Sequence, residues 1–129
     1  MKLIDTDIAI DHFHGHRAAL NYLEEILTAG EVIAISVVTL TELMAGMRPN
    51  EDERTEKLLR LFTLITVDEA IGRKAGAYLN RFGRSHNLEL GDALIAASAF
   101  ATGAELITRN IKHYPMEDIH IISPYERGR

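Results

Sequence analysis

Lys2-Leu3-Ile4-Asp5-Thr6-Asp7-Ile8-Ala9-Ile10-Asp11 joins a short strand, an acidic turn and the start of an apolar helix in one run. In an open parallel sheet, ligands gather beyond the carboxyl ends of the strands, near the point where strand order reverses. A first strand often lies at that centre, so Asp5 is the natural place for chemistry. The ordinary use of such an Asp is as a turn residue or helix N-cap, and Thr6 would cap as well. A charge at a central strand end is costly unless partnered.

Working outward, His12-Phe13-His14-Gly15-His16 reads as a loop between helices, and surface linkers are the usual home of such runs. Residues 17–28 read as a helix with Leu20, Leu23 and Leu27 on one face, ended by Gly30. Val32 to Ile35 is a continuous apolar run, the mark of a strand covered on both faces. Ser36 to Met47 returns to helical spacing through Leu40, Leu43, Met44 and Met47, and Gly46 and Pro49 end it. A charged helix over 51–61 offers Leu58, Leu59 and Leu61 to a core, and Leu64 to Val67 forms a third strand. Asp68 caps a helix running to about His86, buried through Ile71, Ala75, Tyr78, Leu79 and Phe82. Arg73, Lys74, Arg81 and Arg84 share its opposite face, ordinarily a solvated stripe. Leu90 to Thr102 is rich in Ala and apolar nearly all round, which predicts a buried, closely packed helix stopped by Gly103. Residues 105–108 and 119–122 complete five strands, the last closed by Pro124. Alternation of strands and helices predicts a three-layer α/β/α domain over 1–129 with a mostly parallel sheet, its last residues, 126–129, frayed.

Composition narrows the function classes. The chain has 129 residues, of which 47% are hydrophobic and 26% charged, an ordinary globular balance. No apolar run approaches the roughly 20 residues of a membrane helix, and no export signal is legible ahead of the acidic turn. Without cysteine there are no disulfides or thiolate metal sites, which suits a cytoplasmic setting. A net charge of −5 argues against a general nucleic-acid coat. It is compatible with a nuclease, because metal-binding carboxylates are themselves negative.

Two further acids sit where strand ends feed helices. Thr39-Leu40-Thr41-Glu42 fits a capping box, yet Glu42 also falls on the sheet edge that carries Asp5. Asp92, in Gly91-Asp92-Ala93-Leu94-Ile95, suits the first turn of its helix by about 0.3–1 kcal/mol of dipole energy. It is also the only acid of that apolar helix, and a cation shared with Asp5 and Glu42 would balance it. Three carboxylates suit Mg2+ or Mn2+. Zinc is disfavoured without cysteine or a helical His pair. An ion so held suits phosphodiester cleavage.

With these residues assembled, the sequence resembles the PIN-domain ribonucleases, and among them the VapC-type toxins of prokaryotic toxin–antitoxin pairs. The resemblance spans essentially the whole chain. It rests on Leu3-Ile4-Asp5-Thr6-Asp7, on Ser36 through Glu42-Leu43 to Gly46, on Asp92-Ala93-Leu94-Ile95-Ala96-Ala97, and on Leu106-Ile107-Thr108-Arg109-Asn110 with His113-Tyr114. It implies metal-dependent endonuclease action on RNA, a cognate antitoxin and a homodimer. It makes Asp5, Glu42 and Asp92 the metal ligands. Asn110 stands where many members carry a fourth acid, and Asp7 stands where Asn is usual. Thr6 and Thr108 become hydroxyls that steady the ligands. Beside Asn110, Arg109 is expected to grip a phosphate bidentately, with Lys112 as a second substrate-facing cation.

Other classes fit less well. A PIN fold that only binds a partner would not need the Asp5, Glu42, Asp92 set. A haloacid-dehalogenase-like phosphatase shares Asp5-Thr6-Asp7 but wants Thr or Val at Ala9 and a late second acid where Ala96 stands. A receiver domain would use Asp68 and a strand-five Lys that is missing.

Overall fold

The computed structural model describes residues 1–125; the frayed tail expected at 126–129 lies outside them. Strand β1 (Lys2–Ile4) leads into α1 (Thr6–Phe13) and α2 (Arg17–Thr28), and β2 (Ile33–Ser36) leads into α3 (Val37–Ala45) and α4 (Asp52–Leu59). Strand β3 (Thr63–Ile65) precedes α5 (Glu69–Phe82) and α6 (Leu90–Thr102). Then β4 (Glu105–Ile107), a single 3-10 turn (Ile111–His113) and β5 (His120–Ile122) follow. The strands lie in the order β3-β2-β1-β4-β5, and every pairing is parallel. From β1 the chain builds outward to β2 and β3 on one side, then returns to add β4 and β5 on the other. The reversal of strand order therefore falls at β1 and β4, and Asp5 and Thr108 follow their carboxyl ends.

Strand alternation sorts the core into two layers. Leu3, Ala34 and Leu106 face Ile71, Ala75 and Tyr78 of α5 and Ala93, Ala96 and Ala97 of α6. Ile4, Ile33, Ile35 and Ile107 face Ile8 and Ala9 of α1, Leu23 and Ile26 of α2, Leu43 of α3 and Leu58 of α4. Leu3, Ile4, Leu106 and Ile107 are fully buried, and each contributes on the order of 1.5–3 kcal/mol by leaving water. The small side chains of α6 let it sit close against α5 and the sheet. Its left-handed cap at Gly103 (φ 70°) is one that a Cβ would strain.

The structure differs from the sequence expectation at several local points. The buried stripe of α2 is Ala19, Leu23 and Ile26, and Leu27 is exposed; spacing alone left two adjacent apolar residues competing for the core. Leu61 is likewise exposed, because α4 ends at Leu59. Strand β3 is shifted to Thr63–Ile65, since Thr66 and Val67 form the approach to the Asp68 cap of α5. His12 and Phe13 belong to α1 rather than to a loop. The expected Thr39–Glu42 capping box is absent: Ser36 caps α3 by accepting the Val38 N–H at 3.0 Å. Thr39 is a buried helical residue. The reciprocal box forms instead between Glu89 and Asp92 at the start of α6. Of the basic stripe on α5, Arg73 pairs with Glu69 at 2.7 Å and Lys74 with Asp118 at 2.7 Å, as a helix face in local ion pairs.

Candidate active site

Asp5 is both the first residue past β1 and the N-cap of α1. Its backbone N–H donates to Ile107 of β4 at 2.9 Å, which extends the sheet by one bond and turns the side chain into the crevice. The carboxylate is nearly buried, 6% exposed. Oδ1 accepts the Thr6 N–H at 2.8 Å. Oδ2 accepts the hydroxyls of Thr108 at 2.7 Å and Tyr114 at 2.9 Å. Asp7 stands two residues on, in the first turn of α1. Its Oδ1 accepts the Ile8 N–H at 2.7 Å and its Oδ2 the Arg109 N–H at 3.0 Å. Thr6 carries the connection to α3: its hydroxyl lies 2.9 Å from that of Thr39 and donates to Glu42 Oε1 at 2.8 Å. Glu42 is exposed at the rim, where it helps to wall a groove with Ile10, Phe13, Leu43 and Met47.

The acids burden one another. Burial raises the Asp5 pKa despite three donors. Burial, then the charge of Asp5, push Asp7 up to about 6. Asp92 is raised by burial and by Asp5, against the opposing bond from the Glu89 backbone. Crowded carboxylates disfavour each other's charged forms, and a hard divalent cation is the partner such oxygens suit. The donor chemistry therefore fits Mg2+ or Mn2+. Asp5, Glu42 and Asp92 stand apart as placed: among the described residues, no three acids or histidines form a group that could hold an ion. Each is turned to a local donor instead. Glu42 takes the Thr6 hydroxyl, and Asp92 takes the Glu89 N–H at 3.4 Å with His113 at 4.0 Å.

The fourth-strand end is ordered by backbone. Asn110 donates its N–H to Thr108 Oγ1 at 3.0 Å; the residue is exposed, as is Lys112 on the turn that follows. Arg109 is oriented differently from the outward phosphate clamp expected. Its Nε lies 2.9 Å from Asp11 Oδ2 and 4.0 Å from Asp7 Oδ2. Asp11 is fully buried and also accepts the Tyr125 hydroxyl at 3.0 Å. Sequence reading missed Tyr114 and Asp11 as parts of this network. The helical step from Asp7 to Asp11 was the available signal, because it places both acids on one face.

The raised Asp7 pKa has a measurable consequence. An acid whose folded pKa exceeds its ordinary 3.8 holds its proton better when folded. That advantage is complete at low pH and fades as pH climbs from about 4 to about 6. Asp7→Asn mimics the protonated form, so in chelator its melting temperature should gain on wild type across that window. A gap that stays constant with pH would show that Asp7 does not titrate there.

Comparison with known proteins points the same way as the geometry. The ribonuclease VapC19 of Mycobacterium tuberculosis is 41% identical over 117 residues, covering 90% of this chain and 94% of its own. The ribonuclease VapC10 of the same organism is 42% identical over 117 residues, covering 90% and 87%. A solved toxin–antitoxin complex from Klebsiella pneumoniae contains a chain that superposes with a TM-score of 0.78 at 32% identity, covering 98% of this chain and 99% of that one. The family model for the PIN domain matches residues 2–117, a span that takes in β1, the acid-bearing helix starts and the Thr108 strand end, and so this chain belongs to the PIN domain family.

Proposed function

We propose that the chain is an endoribonuclease dependent on Mg2+ or Mn2+, and the toxin of a toxin–antitoxin pair. The observation that carries this reading is the buried Asp5 at the point of strand reversal, whose charge is felt by Asp7 and Asp92, with Glu42 tied to its neighbour Thr6. The ribonuclease relatives and the Klebsiella complex support the reaction class and the partner class. Asp5, Glu42 and Asp92 are the residues to hold the ion, with Asn110 at the fourth place, adding an oxygen without a charge. The ion would lower the pKa of water and offset negative charge on the phosphoryl oxygens. The chain's own side chains do the rest. Thr108 and Thr6 aim Asp5 and Glu42, and Asp7 supplies the added negative charge that Asn110 lacks. Lys112, exposed near Asn110, is the cation to meet the phosphate backbone, while Arg109 balances the acids from within. Expected partners are RNA, an antitoxin protein and a second copy of this chain. Among the described residues no helix is long and apolar enough to cross a membrane.

The purified chain should cut single-stranded RNA in Mg2+ or Mn2+, stop in excess chelator, and resume when Mn2+ is restored. Cleavage that continues under full chelation would remove the metal from the reading.

A further inference from the structure

Asp5 has an asymmetric set of donors, and the asymmetry comes from one residue outside the expected site. Each carboxylate oxygen offers two lone pairs. At Oδ2 both are taken, by the hydroxyls of Thr108 at 2.7 Å and Tyr114 at 2.9 Å. The single Thr108 proton is committed to Asp5, because Asp7 Oδ2 is farther, at 3.5 Å, and the Thr108 oxygen itself accepts the Asn110 N–H. A carboxylate oxygen can only accept, so the Tyr114 hydroxyl is the donor of its bond. At Oδ1, among the described residues, only the Thr6 N–H is accepted, which leaves a second lone pair. The Tyr114 ring is 3% exposed and packed in the α5–α6 layer of the core, so its hydroxyl is held on a rigid mount.

Building on the metal site proposed above, we propose that Tyr114 is a positioning residue: together with Thr108 it saturates Asp5 Oδ2, prevents the carboxylate from turning, and leaves Oδ1 as the oxygen that Asp5 presents to a divalent cation. A ligand already fixed in orientation loses less freedom on binding. Partners that orient a metal-binding carboxylate typically contribute about 10–100-fold in metal affinity or activity. Tyr114 is buried, out of reach of a surface-bound RNA, so its effect belongs in the metal and in kcat.

The test is calorimetric titration of MnCl2 into the full chain, beside cleavage kinetics on single-stranded RNA. Tyr114→Phe keeps the ring in its packing and removes only the hydroxyl. The expected result is Mn2+ affinity lower by about tenfold, kcat lower, and KM for RNA within about twofold of wild type. Thr108→Val removes the other donor to the same oxygen and should also weaken Mn2+. Tyr78→Phe deletes a hydroxyl-to-carboxylate bond of similar length, 2.7 Å to Asp118, away from the site, and should leave Mn2+ affinity unchanged. Equal Mn2+ affinity in wild type and Tyr114→Phe overturns the proposal alone. A loss in Tyr78→Phe as large as in Tyr114→Phe also overturns it, by showing a general structural effect. A wild-type chain that takes up no Mn2+ overturns the metal reading and this proposal with it.

Discussion

Asp5→Asn is expected to cut RNA cleavage by about a hundredfold to a thousandfold and to leave the chain folded. The size follows from the several kcal/mol of charge stabilisation that a metal site supplies, at about 1.4 kcal/mol per factor of ten. The fold survives for a reason visible at the site. Burial disfavours the ionised form of Asp5, so a neutral amide of the same shape relieves that cost. Its oxygen can still accept the Thr108 and Tyr114 hydroxyls. The loss is at the other end, where the amide nitrogen faces the Thr6 N–H and the cap bond is forfeited, a cost of about 1 kcal/mol. Melting temperature should therefore move little while turnover collapses. The two measurements together separate ligand from cap: an Asn variant that melts lower but cleaves at a near-normal rate would make Asp5 a structural residue only.

Which parts of this site were legible in advance follows from the range over which each signal acts. Strand runs and the helical periods of α3, α5 and α6 are local, and they placed Asp5, Asp92 and Thr108 at strand ends or helix starts. Position in the sheet is also readable when one strand is central, because an acid directly after it has few structural uses. The Ser36 cap was harder, since Ser36, Thr39 and Thr41 all suit an N-cap; only the end of β2 decides among them. Tyr114 and Asp11 were hidden for another reason. Tyr114 meets an acid 109 positions away and Asp11 pairs with an arginine almost as distant, and no periodic pattern records such contacts. Arg109 was misoriented on the same account. Adjacency to Asn110 suggested the substrate, while the burial of Asp11 beneath it decides where the guanidinium points.

Arg109→Ala is expected to destabilise the protein more than it weakens RNA binding. Asp11 is fully buried and lies 2.9 Å from Arg109 Nε, whose side chain remains 24% exposed. Breaking a buried ion pair by removing one partner costs about 3–5 kcal/mol. The partial exposure of Arg109 and the Tyr125 hydroxyl on Asp11 bring this below that range, to about 2–3 kcal/mol once solvent screening is counted. For a chain of this size that lowers the melting temperature by about 10 °C. The backbone N–H that Arg109 gives to Asp7 survives the change, so the acid beside the site keeps that donor. RNA affinity should then hold most of its salt dependence, because the guanidinium faces Asp11 rather than solvent. Asp11→Asn provides the second arm of a cycle: it removes the buried charge, so adding Arg109→Ala to it should cost far less than Arg109→Ala alone. Equal costs in both backgrounds would mean that the pair is not coupled. A salt slope reduced by about one phosphate contact at an unchanged melting temperature would return Arg109 to the substrate.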